Sequence, residues 1–358
     1  MEFALTEDQM LMQEGLARAV AAASPLDRVR AFAADRQDAA RDVWAALADF
    51  GLPGLLIDEA HGGLGLKLLD AALAAEVLGR HVAPAPFLGA MLGSLALQSA
   101  GSPEQQSAWL PRIAAGDCVV GLAIGEPISG ARDGAGVTAA SGRLSGKALF
   151  VTDALAADLL VVADVDGRLH LVASDAAGLT REPMTTIDLS RSLGEIRFDD
   201  VVAEPLSGDI LSALRDAAWV LLAADTLGAA EAMIGKAVAY AQERRQFGRV
   251  IGSFQAVKHM CAEIAAELEP ARSLVWYAAY AFDEAPQEAS LTAAHAKAHL
   301  SEIGRFIART STEVHGGMGI TDLLGLHYWF KRIGLNRQLY GGPERVRALA
   351  ARMQGLAA

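Results

Sequence analysis

Arg244, Arg245 and Arg249 cluster where one long Ala-rich helical run, starting near residue 210, gives way to another starting near Ala256. Guanidinium groups at a helix C-terminus suit the dipole and can grip a phosphate in bidentate fashion. Gly248 and Gly252 let the backbone approach a ligand closely, although a solvated helix cap has the same pattern. A second glycine bend, Gly316, Gly317 and Gly319, follows Glu313 at the end of a later helical run. It reads either as a C-cap with a turn or as a bend whose bare backbone a ligand can approach closely. His61 and His315, each beside a glycine, read as hydrogen-bonded loop residues rather than catalysts. Cys118 and Cys261 are too few and too far apart for a disulfide framework or a metal site, so no metal is expected.

The elements that must position these groups fall into three blocks. Thr6 and Gln9 have the spacing of a capping box, followed by an apolar face at Met10, Leu11, Leu16 and Val20. Further helices are expected over Val43–Phe50, Asp70–Leu78, Pro86–Ala100 and Pro103–Ala115, with a glycine-rich loop at Gly62, Gly63 and Gly65. From Cys118 the period turns to alternation. Strands are expected over Cys118–Ile124, Arg143–Thr152, Leu159–Ala163, Leu169–Ala173 and Ser192–Phe198, with Asp166-Gly167 as a primed-type hairpin turn. The helical period returns at Asp209 and breaks at Phe247–Ser253, at Pro286 and at Gly316–Gly325, giving a bundle of four long helices. The expected division is therefore 1–116 helical, 117–205 β and 206–358 helical.

Composition excludes several classes of function. The 31 basic residues against 43 acidic ones give a net charge of −12, with no basic stripe to displace counterions, so no nucleic acid is expected. Hydrophobic residues make up 52% of the chain. The greasiest run, Ala217–Ala224, is bracketed by Asp216 and Asp225, so no membrane span is expected and the surplus points to subunit interfaces. The opening residues carry acid where a signal peptide needs base, and a cytoplasmic location is expected.

Taken together, the Arg244 to Gln255 corner, with Phe247-Gly248, Ile251-Gly252 and Phe254-Gln255, resembles the acyl-CoA dehydrogenase family. So do the Gly62 to Gly65 loop, the Glu76 to Arg80 stretch and the helical, β, helical order, so the resemblance covers essentially the whole chain. It implies an α+β fold with an N-terminal helical domain, a middle β-barrel or sandwich and a C-terminal four-helix bundle. It also implies FAD as cofactor, an acyl-CoA substrate and an acceptor such as an electron-transfer flavoprotein. A homo- or hetero-oligomer, a dimer of dimers, is the implied assembly. By the same resemblance Arg244, Phe247 and Gln255, with Glu313, Gly316, Gly317 and Gly319, hold the adenosine diphosphate end of a neighbouring subunit's FAD. Phe150 packs on the flavin ring, Thr152 offers a hydroxyl near its N5, and Leu122, Ile124 and Gly125 form the other wall. The chain departs from the family pattern at Gly125 (for Thr), at Gly130-Ala131-Arg132 (for Gly-Ser-Asp) and at Glu313 (for Gln).

The largest departure concerns the base. The family's Tyr-Glu-Gly is Tyr340-Gly341-Gly342 here, and its second carboxylate position, counted back from Arg244, is Ala218, followed by Trp219. Both usual Glu slots are empty, while the Gly341 N–H remains as a donor for the thioester oxygen. Asp225 and Glu344 are the nearest acidic substitutes. Asp225 lies about 10 Å of helix rise beyond Ala218, and Glu344 reads first as an N-terminal cap of the last helix. The short length and the segments Met318–Asp322 and His327–Arg332 resemble small subunits of two-component bacterial acyl-CoA dehydrogenases. Three readings stay open: a subunit that borrows its base from a partner chain, a homomeric enzyme with a relocated carboxylate, and a non-catalytic structural or binding subunit.

Overall fold

The computed structural model describes residues 4–35 and 38–357, so the acidic start singled out above lies partly outside the described residues. Six helices come first: α1 (Glu7–Ala23), α2 (Leu26–Ala34), α3 (Arg41–Ala48), α4 (Leu68–His81), α5 (Phe87–Ala100) and α6 (Pro103–Ala114). The Thr6 cap forms as spaced, with the Gln9 N–H donating to Thr6 Oγ1 at 3.2 Å and the Thr6 N–H to Gln9 Oε1 at 3.1 Å.

The middle of the chain forms one sheet of eight strands. These are β1 (Val120–Ala123), β2 (Gly136–Ala140), β3 (Arg143–Thr152), β4 (Leu159–Ala163), β5 (Leu169–Ala173), β6 (Leu179–Pro183), β7 (Leu193–Val202) and β8 (Glu204–Pro205). Their order is β6-β7-β3-β1-β4-β5-β8, with β2 paired to β3, and a short helix α7 (Gly125–Ser129) follows β1. β2 and β6 escaped the sequence reading because their side chains are small or charged and mostly exposed, so neither shows apolar alternation. The Asp166-Gly167 hairpin joins β4 to β5, but its turn is not of the primed kind. The Gly167 N–H donates to Asp164 O at 3.0 Å, and only Gly167 has positive φ (+82°) in the turn. Asp164 Oδ1 organises the loop by accepting the N–H groups of Asp166 and Arg168, each at 2.9 Å.

The last block holds α8 (Leu211–Glu243), α9 (Gln255–Glu284), α10 (Pro286–His315), α11 (Leu326–Gln338) and α12 (Pro343–Met353), with a small β9–β10 hairpin (Arg245–Gln246 and Arg249–Val250) between α8 and α9. Three of these helices are long, whereas α11 has 13 residues, so the expected fourth long helix is a short one. α8 is long and apolar enough to cross a bilayer by composition, yet 83% of its most apolar window is buried inside the molecule. Its neighbours approach closely because glycines face each other. A Cβ on Gly228 would sit 1.8 Å from Glu76 O, and one on Gly79 would sit 2.0 Å from Asp225 O. α4 and α8 therefore cross backbone against backbone.

Near that crossing the core is polar. Arg332 of α11, 2% exposed, donates to Asp225 Oδ2 at 3.1 Å, to Ala83 O at 3.1 Å and to Ser190 O at 3.0 Å, and lies 3.2 Å from Asp188 Oδ2. Asn336 donates to Asp225 Oδ1 at 2.6 Å, and Arg191 reaches Asp225 Oδ2 at 3.0 Å. Lys297 of α10, fully enclosed, donates to Asn336 O. Burial, with help from Arg191 and Arg337, pulls the Lys297 ammonium down to about 7. Because the folded state releases this proton before the unfolded chain does, the unfolded chain binds the extra proton between pH 7 and the ordinary lysine value. The stability tied to this group therefore rises across that window and is lost below it. Lys297→Met is expected to melt higher than wild type at pH 7 and to show a flatter rise in Tm from pH 7 to 9.5. Parallel Tm-against-pH curves for the two proteins would contradict this.

Candidate active site and cofactor-binding corner

One cleft gathers much of what the sequence singled out near the β segment. It is lined by Gly125 and Glu126 after β1, by Leu149 and Phe150 of β3, by Arg132, and by Leu335, Gln338, Leu339 and Tyr340 at the end of α11, with about 90 Å³ of free space. β1 and β3 are placed by antiparallel pairing, with Leu122 opposite Thr152. A bulge between Ala148 and Val151 turns Phe150 to φ +54° and aims its half-buried ring at the cleft. The Phe150 N–H donates to Met184 Sδ at 3.2 Å. Leu122 and Ile124 are buried behind the wall, and Gly125 opens α7.

Thr152 sits differently from Phe150. It is 3% exposed, and its hydroxyl lies close to that of Tyr340, 2% exposed, without a hydrogen bond of acceptable geometry, so both hydroxyls are buried and unpartnered among the described residues. Burial pushes the Tyr340 phenol well above its usual range.

The segments that carry the two empty carboxylate slots touch. Trp219 Nε1 donates to Tyr340 O at 2.8 Å, and Trp219 and Tyr340 are the immediate neighbours of Ala218 and Gly341. Ala218 is fully buried and Gly341 has φ +108°, a conformation that side chains rarely adopt. The Gly341 N–H, expected to be free for a thioester oxygen, instead donates to Gln338 O at 3.1 Å, because the chain turns sharply there to enter α12.

Neither acidic substitute reaches the cleft. Both Asp225 oxygens are taken by Arg332, Arg191 and Asn336 in the buried network, which makes it a structural anion. Glu344 is exposed and accepts from Arg337 at 3.0 Å, and its own N–H at the start of α12 holds its carboxyl below the usual range. Two carboxyls passed unnoticed in the sequence. Glu126 lines the cleft, with Oε1 accepting the Leu149 N–H at 2.7 Å, and burial outweighs that bond and pushes its carboxyl up. Asp153 faces a neighbouring pocket with Arg191, and burial, opposed by Arg191 and Arg332, pushes it up to about 7. The Glu126-Pro127 dipeptide was visible in the sequence, but nothing there distinguished an enclosed carboxyl from a surface one.

The arginine corner and the glycine bend share the other end of α8. Tyr240 stacks on His315 with ring centroids 4.7 Å apart, and Ala237, Ala241 and Val314 form a small core with Ile251 and Val257. Arg244, Arg245 and Arg249 are exposed, and none of them has an ion-pair partner among the described residues. Phe247 is 92% exposed, and Gln255 opens α9 on the same exposed corner. The three glycines of the bend serve different ends. Gly319 is needed for packing, since a Cβ there would lie 2.6 Å from Thr312 O, and Gly316 has φ +57°. Gly317 has neither constraint and faces open space. Likewise Gly252 packs on Ala241 O rather than facing a ligand, whereas Gly248 is open with φ +77°. Glu313 is paired with Arg309 at 2.8 Å, and His315 Nδ1–H donates to Ser311 O at 2.7 Å.

Comparison with known proteins gives a consistent result. Family models described as the acyl-CoA dehydrogenase N-terminal and C-terminal domains match residues 6–117 and 213–354. The chain is 32% identical to acyl-CoA dehydrogenase IpdE2 of Mycobacterium tuberculosis over 95% of each chain. It is 30% identical to the mitochondrial short-chain specific acyl-CoA dehydrogenase of Bos taurus, over 85% of this chain and 79% of that one. It superposes on a chain of the ChsE4-ChsE5 complex from Mycobacterium tuberculosis with TM-score 0.91, 26% identity and full coverage of both.

The two acidic substitutes are expected to respond differently to removal of their charge. Asp225→Asn strips Arg191 of its counter-charge and leaves Arg332 with Asp188 alone, and it is expected to cost about 3–5 kcal/mol of unfolding free energy. Glu344→Gln touches only an exposed pair and is expected to stay within about 0.5 kcal/mol of wild type. Denaturant titration of both variants checks this, and equal effects would contradict the assignment of Asp225 to the core.

Proposed function

The chain belongs to the acyl-CoA dehydrogenase family, an oxidoreductase family, and from that premise we propose that it is a FAD-binding subunit whose catalytic base comes from a partner chain. The borrowed base rests on the absence of an acid at Ala218 and Gly341, and the sharing of each flavin between chains rests on the separation of the two half-sites along α8. Trp219 touches the cleft through Tyr340, and Arg244 lies roughly 25 residues further, about 38 Å at helical rise. That span exceeds an extended dinucleotide, so the ring wall and the tail grip of one chain serve different flavins, and each flavin spans two chains.

The residues fit the group at the tail. Three guanidiniums without counter-ions suit a diphosphate, and the open backbone at Gly317 and Gly248 admits close approach. At the ring end, Phe150 offers its face, while the Leu149, Leu335 and Leu339 lining keeps water from the reacting carbons. FAD, when bound, supplies the acceptor for the β-hydride of the thioester. The chain's own residues orient the ligand and hold its charge, and the α-proton has no acceptor at 218 or 341. A carboxylate from a second chain of the same fold fills that role, in an assembly of unlike subunits reoxidised by an electron-transfer flavoprotein. ChsE4-ChsE5, to which this chain is similar, is itself a complex of two named components.

A second reading rests on Glu126, a carboxyl that already lines the cleft and is raised by burial. In that reading the chain works without a partner.

Anaerobic mixing of the purified, FAD-loaded chain with acyl-CoA decides between them. The proposal expects no rapid bleaching of the flavin until a partner chain carrying the base is added. Rapid bleaching by the chain alone, abolished in Glu126→Gln, would favour the second reading. Arg244→Gln and Gly317→Val are expected to weaken FAD retention on gel filtration about tenfold or more, as the loss of one charge-assisted contact predicts.

A further inference from the structure

We propose that the small cavity between the end of β3, the α4–α5 turn and the loop before β7 is a hydration site, whose water joins the Asp153 carboxyl to the Thr152 hydroxyl and makes Asp153 a positioning residue for the cleft wall. The cavity has about 20 Å³ of free space, and Thr152, Asp153, Ser190 and Arg191 line its polar side. A single water needs roughly 10–15 Å³. The site is of a size for one.

The polar groups around it are enclosed and lack other partners. Thr152, 3% exposed, has its Oγ1 buried without a hydrogen bond among the described residues, and so has Arg191 its Nε. The Asp153 N–H is taken, donating to Ser192 O at 3.0 Å, but its carboxyl has no hydrogen bond or ion pair among the described residues. A donor, an acceptor and a hydroxyl around one small space are satisfied together by water, which gives two hydrogen bonds and accepts two. An anion is repelled by Asp153 and a cation by Arg191 and Arg332, so a neutral dipole fits where an ion does not.

A hydroxyl has one proton to give, so the direction of a chain of hydrogen bonds is set at its end. Thr152 Oγ1 lies close to Tyr340 Oη, and Tyr340 lines the cleft. With Asp153 neutral, its O–H donates to the water, the water donates to Thr152 Oγ1, and the Thr152 proton is left for Tyr340. With Asp153 ionised, the water donates to the carboxylate and Thr152 donates to the water. Tyr340 then meets a lone pair. Arg191 Nε–H donates to the water in both states. Burial, opposed by Arg191 and Arg332, places the Asp153 carboxyl at about 7, so the reversal is expected across neutral pH. Those two cations and Tyr340 are the charged and titratable groups that face Asp153 among the described residues. α2, the segment before α3, the α4–α5 turn and α5 present only uncharged side chains to the cavity. Glu126, also raised by burial, faces Tyr340 from the cleft side and is the rival source of any pH response there. No part of this rests on the proposed function.

The test follows the Tyr340 ring by NMR across neutral pH, in the purified full chain with an isotope label at the tyrosine Cζ and with Tyr340→Phe to identify the signal. Wild type is expected to show a step in that signal centred near 7. The step is expected to vanish in Asp153→Asn and in Thr152→Val and to survive in Glu126→Gln. Its absence from wild type, its survival in Asp153→Asn or its loss in Glu126→Gln overturns the coupling. Survival in Thr152→Val means that the charge acts through space and overturns the relay. Crystals of the wild-type chain are expected to hold an ordered water within hydrogen-bond distance of the Asp153 carboxyl and Thr152 Oγ1, and a dry cavity overturns the site. This last arm needs no variant, so a substitution that fails to fold leaves it standing.

Discussion

The contact on which the rest of the structure depends is the crossing of α4 and α8, where Gly79 and Gly228 let two backbones touch. No side chain fits between them. That closeness brings Asp225 against the end of α4, where Arg332 from α11 and Arg191 from the loop before β7 supply its counter-charge. A buried anion shared by two guanidiniums and an amide is costly to break, so it fixes the position of α11 relative to α8. The end of α11 carries Gln338, Leu339 and Tyr340 into the cleft, which means that the depth and lining of the cleft are set by a polar contact well below it.

The same frame bears on the two positions where the family pattern has a carboxylate. The Trp219 to Tyr340 hydrogen bond joins the segments that carry both carboxylate slots of the family, but neither position is built for a carboxylate. Ala218 is enclosed, and Gly341 turns through a conformation that a glutamate resists. The loss is thus in backbone geometry and packing as well as in residue identity. At the far end of α8 the opposite holds: charge is exposed and unpaired, and the backbone at Gly317 is bare. The proposed function joins these two ends of one helix across a subunit boundary.

Much was legible in the sequence because it depends on local pattern. The Thr6 cap, the short apolar runs of β4 and β5, and the long helical period of α8 each follow from neighbours a few residues apart, and the absence of glutamate at 218 and 341 needs only an alignment of motifs. What depends on distant neighbours was not legible. Asp225 and Glu126 are both acids in apolar surroundings, yet one is locked by Arg332, more than a hundred residues away, and the other faces the cleft. The Gly341 N–H looked free and is held by Gln338, and Gly252, Gly317 and Gly319 look alike in sequence but answer to different constraints. The sequence by itself determined the order of the three blocks, the family and the absence of glutamate at 218 and 341, since those rest on residue type and spacing. The tertiary structure alone decided which charges are paired, which glycines are free and which hydroxyls are sealed, because burial and partnership are properties of segments that meet only when the chain folds.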